Sequence, residues 1–272
     1  ASRAAAPIGR RGAAAVRAAA GGRGGGGGGG IGAWLATVKD PRAPPEEVAA
    51  ALAGLRRNGL LGRTRDLTGA IAALGRRSSW PQALSLLFDA RDEALRPDAV
   101  LLTAAVSACE RGAQWEVALS LLGDVPREGP RAQGGRFRQG IGLDAPGAGA
   151  VPAFNSAISA CEKAGRWREA LAVLAGVQDE GLPLDIVSFN AAISACEKGR
   201  EWEAAIVLFT EAEVLLLSPT VITFGAIISA CEKGQQWASA LSLLDAMRTA
   251  AVAPSVIACS AAISACEKGA EW

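Results

Sequence analysis

Cys161, Cys196, Cys231 and Cys266 stand 35 residues apart, and Trp167, Trp202, Trp237 and Trp272 keep the same interval. Between these markers the text itself returns. Ser188–Gly199 reads Ser-Phe-Asn-Ala-Ala-Ile-Ser-Ala-Cys-Glu-Lys-Gly, and close variants occupy Ala153–Gly165, Thr223–Gly234 and Ala258–Gly269. A fixed period of this size is the mark of stacked supersecondary units, each too small to bury its apolar face alone and each covering its neighbour's.

Within a period the apolar residues fall at helical spacing. In 186–220, Phe189, Ile193 and Cys196 form one stripe, and Trp202, Ala205, Ile206 and Phe209 form a second. Lys198 places a cation in the last turn of the first helix, and Gly199 reads as its C-terminal cap. Pro183, Pro219 and Pro254 close successive units, since proline cannot continue a helix. β-Branched residues are few and no alternating run suggests a sheet. The expected fold is all-α: an α-solenoid of helix-turn-helix repeats.

Read back from the clear units, 151–185, 186–220 and 221–255, the register reaches 64–98 and 99–150. Unit 64–98 carries Leu74 in the cysteine slot and Trp80 in the tryptophan slot; unit 99–150 carries Cys109 and Trp115. Cys109 and Cys161 are 52 residues apart, so 17 residues are inserted, in a Gly/Arg-rich loop at about 130–150 that follows the second helix. Residues 29–63 read as a degenerate first unit, Gly59-Leu60-Leu61 standing where later units have Gly181-Leu182-Pro183. Pro41, Pro44 and Pro45 are expected to interrupt its first helix and the following turn. The last unit, 256–272, stops before a second helix, and the array is expected to continue past it.

Residues 1–30 are almost wholly Ala, Arg and Gly, ending in Gly24–Gly30. So little apolar surface cannot offset backbone ordering, and the segment is expected to be disordered. It reads either as an organelle transit peptide, arginine-rich and free of acid, or as a low-complexity leader without a role. Six of the 28 basic residues precede the first acid, Asp40, so the repeats are net acidic although the whole chain is +1. Any reading as a nucleic-acid binder must rest on where the charge lies.

The chain has no histidine. That removes the usual general base, Ser-His-Asp and Cys-His nucleophiles, and most zinc-hydrolase motifs. The cysteines lack CxxC spacing and sit on the inward stripe, so buried thiols are expected rather than a metal site; Cys259 alone is off that register. The glycine run is followed by no Gly-Lys-Ser/Thr, so it is no phosphate loop. No apolar run approaches membrane-spanning length. No catalytic residue, cofactor, metal or membrane partner is expected.

A tetratricopeptide array, a protein-binding scaffold of 34-residue units, is the nearest alternative, but it expects Trp-Leu-Gly-Tyr in the first helix. Here tryptophan opens the second helix and tyrosine is absent. Val187–Arg200, Glu169-Ala170-Leu171, Ala205-Ile206-Val207-Leu208-Phe209 and the close Gly181-Leu182-Pro183-Leu184-Asp185 instead resemble the pentatricopeptide repeat family, over about 64–272. That resemblance implies a right-handed superhelix whose first helices line a groove for single-stranded RNA, read at about one base per repeat. It further implies a protein of organelle RNA metabolism (transcript stabilisation, processing, splicing, editing or translation), in the chloroplast or alternatively the mitochondrion, alongside other RNA-processing proteins.

By the same resemblance, two residues per unit select the base: the one six before the cysteine slot and the unit's last. The first set is Thr68, Thr103, Asn155, Asn190, Gly225 and Ser260. Their partners are Asp98, Ala150, Asp185, Thr220 and Ser255. The family's pairing implies guanine for Thr68 with Asp98, uracil for Asn155 with Asp185 and a pyrimidine for Asn190 with Thr220. Gly225 departs from the pattern, having no side chain to offer. Val187, Ile222 and Ile257, three before the selecting slot, would clamp the bases.

Independently of any family, the residue two after the cysteine slot is basic in six successive units: Arg76, Arg111, Lys163, Lys198, Lys233 and Lys268. Stacking would turn this into a row of cations fit to follow a phosphate backbone. The competing reading is a cation complementing each helix's C-terminal dipole, with the neighbouring glutamates (Glu110, Glu162, Glu197, Glu232, Glu267) neutralising the row.

Overall fold

The computed structural model describes residues 29–57, 64–92, 95–125 and 150–269. The expectations for residues 1–28 of the leader, for Gly59–Leu61, for nearly all of the insertion and for Trp272 fall outside these residues; Gly29 and Gly30, the last two of the segment expected to be disordered, instead open the first helix. Among those described there are thirteen helices and no strand. They are α1 (Gly29–Lys39), α2 (Pro45–Arg57), α3 (Thr64–Arg76), α4 (Trp80–Asp92), α5 (Ala99–Arg111), α6 (Trp115–Leu122), α7 (Val151–Lys163), α8 (Trp167–Asp179), α9 (Ile186–Gly199), α10 (Trp202–Val214), α11 (Val221–Lys233), α12 (Trp237–Thr249) and α13 (Val256–Lys268). The fold is an all-α helical-repeat solenoid.

The chain forms two compact bodies, one reaching to Ala108 and one starting at Cys109. In the first, α1 packs on α2 and α3, and α3 on α4, around a core that includes Leu52, Leu55, Ile71, Leu74, Leu86 and Leu87. The prolines do not interrupt α1, contrary to the sequence reading. That helix ends at Lys39, before them, and Pro45 is the first residue of α2. There the N–H that proline lacks would have no helical acceptor in any case.

In the second body each first helix packs against the first helices on either side: α9 on α7 and α11, and α11 on α13. It also touches the second helix of its own unit and that of the unit before. Being covered on several sides, the first helices are built of small residues. Ala157, Ala160, Ala192, Ala195 and Ala230 are fully buried, beside Ile158, Phe189, Ile193 and the three cysteines Cys161, Cys196 and Cys231. Alanine at these positions also carries the best helix propensity, so packing and local preference agree.

The glycine after the lysine has a different task from the one its position suggested. Gly199 lies within α9, and Gly234 and Gly269 take φ of −85° and −79°, so none of them supplies the left-handed conformation of a glycine cap. That conformation falls one residue later, on Ser78, Ala113, Gly165, Arg200 and Gln235, with φ between 52° and 69°. The glycines are instead required by contact. A Cβ on Gly199, Gly234 or Gly269 would overlap the indole of Trp167, Trp202 or Trp237, the tryptophan of the preceding unit. The 35-residue beats of tryptophan and glycine are thus two halves of one inter-repeat contact.

Candidate nucleic-acid interface

The last residue of each unit is the N-cap of the next first helix, which fixes its side chain at the start of that helix. Asp185 Oδ1 accepts the Ser188 N–H at 2.9 Å, Thr220 Oγ1 that of Thr223 at 3.4 Å, and Ser255 Oγ that of Ala258 at 3.1 Å. In the first body Asp98 caps α5 through the Leu101 N–H at 2.7 Å. A carboxylate or hydroxyl is what an N-cap requires. The residues singled out as base selectors therefore have a structural task as well. Ala150 stands at the same slot of α7 without a capping side chain.

The structure brings together Asn155, on the first helix of unit 151–185, and Asp185, the last residue of the same unit and the N-cap of α9. Asn155 Nδ2 donates to both carboxylate oxygens of Asp185, at 3.2 and 3.4 Å. Its Oδ1 accepts the hydroxyl of Ser188 at 2.6 Å. One unit on, Asn190 Oδ1 accepts the Thr223 hydroxyl at 2.6 Å, and Thr223 Oγ1 lies 3.1 Å from Thr220 Oγ1. Each asparagine is half-buried, and each gives its side-chain carbonyl to the hydroxyl of the next unit.

The earlier pairs are arranged differently. Thr68 and Thr103 turn their hydroxyls back to the carbonyls of Thr64 and Ala99, at 2.8 and 2.7 Å, and Thr68 is not hydrogen-bonded to Asp98. Gly225 faces open space, since a Cβ added there meets nothing within 4 Å. Ser260 is exposed.

Next to these polar groups stand exposed apolar side chains. Val187, Ile222 and Ile257 are 54%, 68% and 70% exposed, on the first turns of α9, α11 and α13. Sequence reasoning missed Val100, 65% exposed in the same slot of α5; its position three before Thr103 was the available signal. It also missed Ser188 and Thr223, the two buried polar side chains among the described residues.

The lysines are paired, and with the unit before. Lys163 Nζ meets Glu110 Oε1 at 2.8 Å, Lys198 meets Glu162 at 2.9 Å, Lys233 meets Glu197 at 2.9 Å and Lys268 meets Glu232 at 2.7 Å. Three of these pairs span 36 residues and the first spans 53, a difference equal to the 17 inserted residues. The insertion thus leaves this contact intact. Arg76 and Arg111 are exposed and form no ion pair among the described residues. The unit before Arg111 has Gly75 where the later units have the glutamate.

Four of the six cysteines are buried. Burial pushes the Cys109, Cys161, Cys196 and Cys231 thiols up to about 11, with Glu169 adding at Cys161 and Glu201 at Cys196. No group of metal-ligating side chains occurs among the described residues.

Comparison with known proteins is consistent with this arrangement. The family description "Pentatricopeptide repeat domain" matches residues 172–234, and "PPR repeat" matches 152–182 and 222–250. No curated protein matches the chain. Among solved structures, the pentatricopeptide repeat protein PPR10 in complex with an 18-nt psaJ RNA element is similar at 25% identity and a TM-score of 0.59, over 88% of this chain and 32% of that one. The same protein from maize is similar at 25% identity and a TM-score of 0.57, over 86% and 30%. The chain spans about a third of the length of these proteins. Repeat period, helical pairing and family match agree that residues 152–250 are built of pentatricopeptide repeats.

Proposed function

We propose that this chain binds single-stranded RNA and reads it with the selecting pairs, at about one base per repeat. The observation that carries this is the joining of Asn155 to Asp185, the two selecting residues of one unit, beside the exposed Val187. A polar edge with a fixed amide, flanked by an apolar side chain, suits a base that is hydrogen-bonded on its edge and held on its face. The solved PPR10–RNA complex supports the same reading. Asn155 with Asp185 would take uracil and Asn190 with Thr220 a pyrimidine, each amide giving N–H to a base acceptor. Thr68 with Asp98 would take guanine. Units with Ala150 and Gly225 would discriminate little.

The lysine row serves phosphate binding only in competition with its glutamates, whereas Arg76 and Arg111 stand free to meet phosphate. The acid-free, arginine-rich start supports import into an organelle, the chloroplast before the mitochondrion, and work there on transcript stability, processing, splicing, editing or translation.

The test is fluorescence anisotropy of the whole chain with labelled oligo(U), oligo(C), oligo(A) and oligo(G), and with DNA of the same length, across a salt series. Pyrimidine-selective, salt-sensitive RNA binding is expected. Absence of binding at low salt, or equal affinity for all sequences and for duplex DNA, would sink the reading.

A further inference from the structure

Ser188 and Thr223 lie on the first turns of α9 and α11, one unit after the asparagines they touch. They are 1% and 0% exposed, and no other polar side chain among the described residues is so buried. A hydroxyl in such a place costs stability unless it is hydrogen-bonded. Both spend it on the same thing: the side-chain carbonyl of the asparagine in the selecting slot, each at 2.6 Å.

The direction of these bonds is fixed by their surroundings. Thr223 Oγ1 accepts the Thr220 backbone N–H at 2.9 Å, a group that can only donate, so its own proton is free for Asn190 Oδ1. At Ser188, Asp185 already receives the Ser188 N–H and the Asn155 amide. The Ser188 hydroxyl has one proton and two acceptors in reach; Asn155 Oδ1, the nearer at 2.6 Å, can only accept and depends on this donor, whereas Asp185 Oδ1 at 2.9 Å has others, so the proton serves Asn155. In both units the held carbonyl keeps the amide from turning over, so that Nδ2 is the end of the amide left for a base. A freely rotating amide would show donor and acceptor in turn and would discriminate between base edges poorly.

We infer that Ser188 and Thr223 are positioning residues for base selection. Each sits in the unit after the one whose asparagine it orients, and neither touches RNA itself. The inference rests on the RNA-binding reading and adds a third residue to each selecting pair. It also separates the units. The equivalent slot holds Leu101, Ala153 and Ala258 elsewhere, so neither Thr68 nor Gly225 has a hydroxyl above it. Ala153 and Ala258 are fully buried there, which shows that the fold accepts alanine at this slot.

The experiment is selection from a pool of randomised single-stranded RNA by the whole chain, followed by sequencing. The wild type is compared with Ser188→Ala, Thr223→Ala and the hydroxyl-retaining Ser188→Thr. Each alanine variant should lower the preference at one base position by roughly threefold to tenfold, the worth of one hydrogen bond. The other positions and the salt dependence of total binding should stay unchanged, and Ser188→Thr should keep the wild-type preference. If the wild type enriches no sequence, the RNA-reading proposal itself fails. If it enriches a sequence and both alanine variants enrich the same one to the same degree, the positioning role is overturned. A loss spread over all positions, or shared by Ser188→Thr, also overturns it.

Discussion

Lys198 reaches back one unit to Glu162, Nζ to Oε1 2.9 Å, and the same contact joins Lys233 to Glu197 and Lys268 to Glu232. The glutamate of one unit and the lysine of the next thus form rungs between adjacent repeats. The rungs lie at the surface, where such a pair contributes about 0.2–1 kcal/mol and is screened by salt. Replacing Glu162 with Gln should cost no more than that in chemical denaturation. It should also release the Lys198 cation, so RNA affinity should rise at low salt and its salt dependence should steepen. Unchanged affinity across the salt series would mean that Lys198 lies outside the phosphate path.

Gly199 is required by Trp167, whose ring occupies the space a Cβ would take. Gly199→Ala should therefore destabilise the second body by about 1–3 kcal/mol, the usual cost of overpacking, even though alanine is the better helix former. Gly165, one residue past the equivalent slot, has open space and a φ of 69°. Gly165→Ala should cost about 1 kcal/mol through backbone strain alone, leaving tryptophan fluorescence unchanged. Thermal melts with fluorescence readout separate the two. A Gly199→Ala protein as stable as the wild type would show that the indole moves aside freely.

The four deeply buried thiols predict the alkaline limb of stability. Their pKa of about 11 in the folded chain lies above that of an exposed thiol, ~8.5. The unfolded chain therefore loses these protons first as pH rises. Stability is unaffected below the unfolded value and falls from there up to about 11. Urea midpoints at pH 8 and pH 10 should differ in that direction, and the difference should shrink when Cys196 is replaced by Ala. In native protein at pH 8, a thiol reagent should label the partly exposed Cys259 and Cys266 while the buried four remain slow. Rapid labelling of all six would contradict the packing.

The sequence displayed its repeats because packing is periodic: a residue that must fit between neighbouring helices returns wherever the helices do. Cys196, Trp202 and Phe209 could be placed on their helices from spacing alone, and Asn190 could be found by counting from Cys196. What spacing does not carry is the partner. Gly199 looked like a cap because glycine after lysine usually is one; that its neighbour is an indole from 32 residues earlier is a fact of stacking. The lysine row likewise read either as a phosphate track or as charge neutralised by neighbouring glutamates; that each lysine meets the glutamate of the unit before, 36 residues back or 53 across the insertion, is a fact of stacking. Ser188 and Thr223 were hidden for another reason. Alanine occupies their slot in other units, so the column looked like plain core, and only depth of burial marks the two hydroxyls as exceptions.

Gly225 gives the most direct route to a gain of function. It lies on α11 at the selecting slot, and a Cβ there meets nothing within 4 Å, so the Cβ of Gly225→Asn enters without overlap. The change should also raise helix stability slightly, by a few tenths of a kcal/mol, since asparagine is the better residue in a helix interior. Its partner would be Ser255, the N-cap of α13. The slot above it is Ala258, with no hydroxyl to hold the new carbonyl. In selection from randomised RNA, Gly225→Asn alone should add at most weak preference at one further position. Combined with Ala258→Thr it should add a preference for pyrimidine comparable to that of Asn190. Equal gains from the single and double variants would show that the amide orients itself without the hydroxyl. No gain from either would place Gly225 off the path of the RNA.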